Sequence, residues 1–293
     1  MASAHDLTVT HTSTVTEDQI DHLGHMNVRH YASNAHAATL SVLERLGRVA
    51  VDEGDLFDMY TRHHREQLLG AELEVRSGVL GVDQTSIRLY HELVASSTGE
   101  LAATFVHRVR SSTPFDVGDT VAIPEHGAPR SIDLEAQVTA PPLDTVRELG
   151  LEQRGARVVD RDDTGGGETV RAHLVPNLIW GGTPPDGSEQ QLVHLGADGR
   201  NVGYATMETR VGVVRLPPLG TPIQSFGATT AMADKTTQMS MWVYDLDRAD
   251  LLASFEVVNV LFDIDARRAS SIPDDMRAEH RARMHPELAP RRS

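Results

Sequence analysis

The chain has 293 residues, of which 40% are hydrophobic, so it is long enough for two globular domains and is not a disordered chain. Its net charge of −15, from 27 basic and 42 acidic residues, excludes the basic footprint that nucleic-acid binding or docking on anionic membranes requires. It has no cysteine, no apolar run near the ~18 residues of a membrane span and no signal core in its first residues, so we expect a cytoplasmic protein without disulfides.

The first predicted elements are a strand, a tight turn and a long helix. The strand runs from Thr8 to Val15, and the turn lies in the segment Asp-His-Leu-Gly-His-Met-Asn at 21–27. Apolar or small residues recur at helical spacing from Val28 to Gly47, which predicts an amphipathic helix. Gly24 permits the turn, and Asn27 is a good N-cap because its side chain can accept an orphan backbone N–H.

The turn segment places an acid beside a helix N-terminus. Asp21 fits a general base or nucleophile next to free backbone N–H groups that can hold a developing oxyanion. The same spacing fits a structural joint in which Asp21 and His25 only cap and solvate the turn, so both interpretations stay open at this level. Met26 and Tyr31 have the N′ and N4 spacing of a hydrophobic staple.

A run of strands is predicted after the helix, at Met59–Gln67, Glu72–Arg76, Thr85–Val94 and Leu101–Val109. A long helix followed by antiparallel strands predicts an α+β fold, with a sheet wrapped over a central helix. His63 and His64 can line a cleft from a strand, but only one of them, because adjacent strand residues face opposite sides. His36 and His91 interrupt apolar faces and are expected to be hydrogen-bonded core or pocket residues.

The second half of the chain repeats the first at a shift of 150 positions. The Leu-Gly pair at 69–70 aligns with 219–220, and the strand at 101–105 aligns with 251–255 without a gap. Turn and strand matching at one shift indicates a tandem repeat.

The front of the second copy is less complete. A shift of 142 places Asp163 over Asp21, but the helix predicted from Val170 towards Gly181 contains Pro176, which breaks or kinks helices. Asp163 is therefore a poorer second acid, and we expect the second half mainly to supply walls of the site.

The motif Asp-x-x-Gly-His-Met-Asn-x-x-x-Tyr, from Asp21 to Tyr31, resembles the signature of hotdog-fold thioesterases, in particular the 4-hydroxybenzoyl-CoA thioesterase-like acyl-CoA thioesterases. The resemblance extends through Arg110. It implies that Asp21 is the catalytic carboxylate and that the helix N-terminus at Asn27 polarises the thioester carbonyl. Many members carry a second Asn where this chain has Val28. Such enzymes form their site where two hotdogs meet, so two copies on one chain could form a complete pair.

We therefore predict an α+β fold of two tandem hotdog domains, each an antiparallel sheet wrapped around a long central helix. The predicted divisions are an N-terminal hotdog domain at 8–112, a linker at 113–150, a degenerate hotdog domain at 151–266 and a polar tail at 267–293. A helix is expected in the tail from Asp274 to Met284.

The predicted site is centred on Asp21 as base or nucleophile. The residues expected to form or position the oxyanion site are Gly24, His25, Asn27, Val28 and Tyr31. His63 and His64 are candidates for the pocket wall, and Asp163 is the candidate second acid. No His or acidic spacing fits a metal site, and we expect no cofactor apart from the coenzyme A of the substrate.

The predicted function is acyl-CoA thioesterase, releasing a free acid and coenzyme A. A non-catalytic acyl-CoA binding or sensor protein is one alternative, and a hotdog hydratase or dehydratase is another, although its Asp five positions before a His is not found. The acyl group stays open among short, medium, aryl and betainyl groups, as does coenzyme A against acyl carrier protein. We expect a thioester as partner, neither nucleic acid nor membrane, and a chain able to form homo-oligomers.

Overall fold

A computed structural model describes residues 7–21, 24–48, 52–136, 140–180, 193–195 and 199–291 of the chain. The chain divides into two compact units, the first made of Met1–Arg130 with Arg171–Pro176 and the second of Ser131–Val170 with Asn177–Ser293. The predicted domain boundaries at 112, 150 and 266 remain predictions.

The first unit is one long helix and five strands. Its elements are β1 (Thr8–Thr14), α1 (Val28–Arg45), β2 (Leu56–His63), β3 (Glu72–Val82), β4 (Ser86–Ala95) and β5 (Leu101–Arg110). The strands are hydrogen-bonded in the order β1-β3-β4-β5-β2, and every neighbouring pair is antiparallel. The predicted α+β arrangement of this part of the chain is confirmed.

Helix α1 begins and packs as its sequence predicts. Asn27 is the N-cap, and its Oδ1 accepts the Arg29 backbone N–H at 3.1 Å. Small and apolar residues of the helix lie against apolar residues of the sheet, and the buried cluster includes Tyr31, Ala35, Ala38, Val75, Leu93 and Phe105. Small side chains at two of these helix positions let α1 approach the sheet closely.

A network of polar side chains crosses the otherwise apolar interface between α1 and the sheet. The hydroxyl of Thr39 on α1 lies 3.0 Å from Nε2 of His91 on β4 and 2.8 Å from Nδ1 of His107 on β5. Nδ1 of His91 lies 2.6 Å from the hydroxyl of Ser77 on β3. All four side chains are buried. The expectation of a hydrogen-bonded core role is confirmed for His91.

Donor and acceptor can be assigned for each hydrogen bond of this network. Thr10 donates its hydroxyl proton to the Val75 carbonyl, so the Ser77 hydroxyl, 2.6 Å away, donates to Thr10. Ser77 then accepts from Nδ1–H of His91, which leaves Nε2 of His91 to accept the Thr39 proton. The Thr39 hydroxyl therefore accepts a hydrogen bond from Nδ1–H of His107. Both histidines are neutral in this arrangement, with the proton on Nδ1.

Lowering the pH below about 6.5 is expected to destabilise this unit. Burial lowers the pKa of His91 to about 3 and, with the charges of His91 and His36, holds the pKa of His107 well below its usual range. The unfolded chain takes up a proton at each group below pH ~6.5, whereas the folded chain does not until far lower pH. Each histidine therefore lowers the free energy of unfolding by roughly 1.4 kcal/mol per pH unit across that window.

Urea unfolding at pH 7.5 and at pH 4.5 measures this loss. The variant His91→Gln should weaken the dependence on pH, whereas His126→Gln, at a mostly exposed histidine, should leave it unchanged. A dependence on pH that is the same in both variants would contradict the assignment to the buried network.

The second unit is built on a further run of antiparallel strands. Its elements are α2 (Leu143–Glu148), β6 (Arg157–Val158), α3 (Asn177–Trp180), β7 (Val193–Leu195), β8 (Asn201–Val213), β9 (Pro222–Met232), β10 (Thr236–Asp245), β11 (Asp250–Asp263), β12 (Arg268–Ala269) and α4 (Asp274–Ala282). The main order is β8-β11-β10-β9-β6, and β12 and β7 pair with β11 and β8. Helix α4 is present where it was predicted, with no buried residue.

The internal repeat at a shift of 150 is confirmed by the strands. Strands β3 and β4 and strands β9 and β10 begin 150 positions apart, and their pairings share an irregularity. The pairing of β3 skips Leu80, and that of β9 skips Thr230. Gly70 and Gly220, with φ of +79° and +87°, make the same turn before these strands.

The helix predicted from Val170 is not continuous. The chain instead forms a 3-10 helix at Ala172–Leu174 and the single-turn α3 from Asn177, on either side of Pro176, which has no N–H to donate. Residues 181–192 lie outside the described residues. A second hotdog domain with its own long central helix therefore stays a prediction.

Candidate functional site

A backbone-locked turn holds the predicted acid in front of α1. The Asp21 N–H donates to the His25 carbonyl at 2.9 Å, and the Gly24 N–H donates to the Asp21 carbonyl at 3.0 Å. Gly24 has a φ of +85°, a conformation that side chains rarely adopt, which is why glycine is needed there. His22 and Leu23 lie outside the described residues.

Two further backbone bonds tie this turn to its surroundings. The N–H of the buried Met26 donates to the Gln67 carbonyl at 2.7 Å, and the Asn27 N–H donates to the Gln19 carbonyl at 2.9 Å. The turn is thus fixed both to the chain before it and to the chain after β2. The backbone of Asp21 consequently keeps one position relative to the start of α1.

The start of α1 offers a hydrogen-bond donor. The Asn27 side chain accepts the backbone N–H of Arg29, and the Asn27 carbonyl accepts the backbone N–H of His30. Among the described residues the Val28 N–H has no acceptor, and Val28 is 51% exposed. An N–H at the positive end of a helix dipole is suited to hold a developing oxyanion. The side chain of Val28 is not required for this, because the donor is the backbone.

Tyr31 and His63 lie together behind this helix start. Their rings meet edge to face with centroids 5.1 Å apart, and the Tyr31 hydroxyl donates to the Arg65 carbonyl at 3.1 Å. Burial raises the pKa of Tyr31. Burial, with a smaller effect of the His64 charge, lowers the pKa of His63 to about 4, so both rings are neutral at pH 7.

His64 takes a different position from its neighbour. Its Nε2 lies 3.2 Å from the Thr104 hydroxyl on β5. Burial, followed by the charges of Arg62, His126 and Arg130, lowers the pKa of His64 to about 4. The structure brings His63 to Tyr31 and does not bring His64 there.

Glu66 is a residue of this site that the sequence analysis missed. His25 Nδ1 lies 3.2 Å from Asp21 Oδ2, and His25 Nε2 lies 3.5 Å from Glu66 Oε1. The imidazole therefore lies between two carboxylates. Nothing in the local pattern marks Glu66, because it follows β2 as one charged residue among several; only the bond from Met26 to Gln67 brings its segment to the turn.

The backbone corrects the alignment of the second copy. Two backbone hydrogen bonds of the first unit recur in the second unit. Their donor residues lie 144 positions later in the sequence, and their acceptor residues lie 150 positions later. They are Val15 to Ala71 and Met26 to Gln67 in the first unit, and Val159 to Thr221 and Val170 to Pro217 in the second. The shift is therefore 144, not 142, and Gly165 rather than Asp163 stands at the position of Asp21.

Asp163 is held by local contacts. Its two carboxylate oxygens accept from the Arg157 guanidinium at 2.5 and 2.9 Å, and Oδ2 also accepts the Asp160 N–H at 3.0 Å. At the shift of 144 this last bond matches the one from the Thr16 N–H to Gln19 Oε1. The geometry gives Asp163 the role of a capping side chain in a turn.

Replacing Asp163 by Asn is expected to lower stability without abolishing catalysis. Asn keeps a capping oxygen but leaves the largely buried Arg157 without its counter-charge, so we expect a loss of roughly 1–2 kcal/mol in the free energy of unfolding. Urea unfolding measures this loss, and kcat at a temperature where the variant is folded should stay within about twofold of wild type. A large loss of kcat in the folded variant would instead make Asp163 a second acid.

Two features were sought in the described part of the chain, a cluster of metal ligands and a membrane-spanning helix, and neither is found there. No group of three or more His, Cys, Asp or Glu residues there could hold a metal ion. No helix within the described ranges is both long enough and apolar enough to cross a membrane.

The fold is similar to that of solved thioesterases. An acyl-ACP thioesterase from Bacteroides thetaiotaomicron superposes with a TM-score of 0.61 at 9% identity, over 88% of this chain and 100% of the other. A 12:0-ACP thioesterase from Umbellularia californica gives 0.59 at 10% identity, over 86% of this chain and 93% of the other. At such low identity these likenesses show the hotdog fold alone. No curated protein matches the sequence.

Residues 15–127 match the family described as the thioesterase-like superfamily. This matched region contains Asp21 and all of α1.

Proposed function

We propose that this protein hydrolyses acyl-CoA thioesters at Asp21. The observation that carries the proposal is the fixed carboxylate of Asp21 in front of α1, next to a helix start whose Val28 N–H has no acceptor among the described residues. The carbonyl oxygen of the thioester would bind at this N–H, where the helix dipole favours the negative charge of the transition state.

The Asp21 anion can serve the reaction in two ways. As a nucleophile it forms a bond to the acyl carbon while the C–S bond breaks, and water then hydrolyses the mixed anhydride. As a general base it takes a proton from water, the oxygen adds to the acyl carbon, and the thiolate leaves and is protonated. After a single turnover in ¹⁸O-labelled water, label in the Asp21 carboxylate identifies the nucleophilic route with attack of water on the Asp21 carbonyl of the anhydride, because the general-base route places no label there.

Coenzyme A as the carrier is supported by the charges beside the site. The chain is strongly acidic, so the phosphates of coenzyme A need local cations. Arg29 is the cation at the exposed start of α1, and its Nε–H donates to Nε2 of His30 at 3.1 Å. Acyl carrier protein, the carrier used by the two solved thioesterases, is the competing carrier.

Replacing Arg29 by Gln is expected to separate recognition of the carrier from chemistry. Loss of one phosphate contact should lower kcat/KM for an acyl-CoA about tenfold, since charge-assisted hydrogen bonds contribute roughly 1.5–3 kcal/mol. The same variant should hydrolyse the matching acyl-pantetheine, which lacks the nucleotide, as fast as wild type does. An equal loss on both substrates would contradict recognition of the nucleotide by Arg29.

The proposal as a whole is tested by thiol release from a panel of acyl-CoA, acyl-pantetheine and acyl carrier protein thioesters. Release from acyl-CoA supports the proposal and identifies the acyl group. Release only from acyl carrier protein thioesters would overturn the proposal that coenzyme A is the carrier. Binding of acyl-CoA without any release would indicate a sensor rather than an enzyme.

A further inference from the structure

The imidazole of His25 connects the proposed catalytic carboxylate to a second one. Asp21 and His25 are mostly shielded, with side chains 15% and 19% exposed, whereas the Glu66 side chain is 47% exposed. The three groups thus run from the interior of the turn to the solvent.

The backbone fixes this arrangement at both ends. The turn bond from the Asp21 N–H to the His25 carbonyl sets the two side chains beside each other. The bond from the Met26 N–H to the Gln67 carbonyl, at 2.7 Å, holds the segment that carries Glu66 against the same turn. Glu66 is therefore placed by backbone contacts on its neighbours, and its reach to His25 does not depend on the ion pair alone.

The donors and acceptors that the three groups offer limit the hydrogen bonds that they can form with one another. An ionised carboxylate only accepts hydrogen bonds, and a neutral imidazole donates through one nitrogen only. An imidazole between two carboxylates therefore satisfies both only while it carries a proton on each nitrogen. With Glu66 in place, Nδ1–H can stay directed at Asp21 while Nε2–H is directed at Glu66, and this fixes the plane of the ring.

Resting on the proposed function, we propose that Glu66 is a positioning residue that acts through His25 to orient the Asp21 carboxylate. Glu66 itself does not touch the thioester. Its contact with Nε2 of His25 holds the ring, and the ring in turn holds the Asp21 carboxylate in the position that either route of hydrolysis needs.

The other groups around the pair do not supply the negative charge of Glu66. Tyr31 from α1 faces both carboxylates, and burial, with their charges adding to it, raises its pKa, so it stays neutral. Arg65, which precedes Glu66, pairs with Glu100 at 3.1 Å.

The test is a double-mutant cycle of Glu66→Gln and His25→Asn, assayed by thiol release. Glu66→Gln alone should lower kcat about tenfold with KM unchanged. In the His25→Asn background the same change should alter kcat by less than about twofold, because Glu66 acts only through the ring. Glu66→Asp should recover part of the loss.

Glu100→Gln is the matched control, since Glu100 is also 47% exposed and pairs with an arginine next to Glu66 in sequence. It should leave kcat unchanged. Equal losses from Glu66→Gln with and without His25, or a rise in KM in place of the loss in kcat, would overturn the proposal.

A spectroscopic measurement separates this inference from the proposed function. The ring ¹⁵N chemical shifts of His25 should change in Glu66→Gln and should stay at their wild-type values in Glu100→Gln, because Glu66 lies against the ring. Unchanged ring signals would overturn the positioning role even in an active enzyme. If no thioester is hydrolysed, the proposed function fails, whereas the ring signals still decide whether Glu66 controls His25.

Discussion

Replacing Asp21 by Asn is expected to lower kcat for thioester hydrolysis at least about 10³-fold, with the fold retained. Asn has nearly the shape of Asp, but it offers neither an anion to attack the acyl carbon nor a base to take a proton from water. Because the Asp21 backbone bonds to His25 and Gly24 do not involve its side chain, the turn should persist. Stopped-flow or steady-state thiol release measures kcat, and circular dichroism and urea unfolding check the fold.

The matched control is Asp18→Asn. Asp18 lies three positions earlier, in the short 3-10 helix at Glu17–Gln19, and its carboxylate is bound locally by Thr16. It should keep kcat within about twofold of wild type. If Asp21→Asn retained most of the activity, the acid before α1 would be a structural turn residue and another group would perform the chemistry.

Replacing Thr39 by Val is expected to cost about 3 kcal/mol in the free energy of unfolding. The shape at the α1 interface is kept, but His91 loses its donor to Nε2 and His107 loses its acceptor from Nδ1–H. Each buried polar group left without a partner costs roughly 1–3 kcal/mol. Urea unfolding at pH 7.5 measures the difference, and the loss should be larger than that of an ordinary methyl exchange.

Thr39→Ser is the control for this prediction. Serine keeps the hydroxyl that joins the two histidines and loses only a methyl group, which costs about 1 kcal/mol in a core. Stability of Thr39→Val equal to that of Thr39→Ser would show that the hydroxyl carries no net stabilisation and that the network is filled in another way.

Local patterns predicted the first unit well. Helix α1, its Asn27 cap and the strands after it follow from apolar periodicity and from turn residues, which act over a few positions of sequence. The repeat at 150 was also visible, because equal strand lengths and equal turns keep the spacing of both copies constant. The motif starting at Asp21 was recognisable because all its residues lie in one turn and one helix start.

The register at the front of the second copy required the structure. Asp163 and Gly165 are two positions apart, and sequence identity alone favoured placing the acid over Asp21. Only the backbone hydrogen bonds of Val159 and Val170 show that Gly165 occupies that place. Pairing of strands between distant segments fixes such a register, and a single sequence does not record which carbonyl accepts which N–H.

The sequence by itself determined the elements of the first unit, the repeat and the carboxylate at the start of α1, since each depends on residues that are close along the chain. The tertiary structure decided which distant side chains meet. Glu66 reaches His25, and Thr39 joins His91 to His107, because β-pairing and helix packing bring together segments that no periodicity connects. Those contacts set which protons the buried histidines of the α1 interface carry and where the His25 ring lies, and they therefore depend on the fold as a whole.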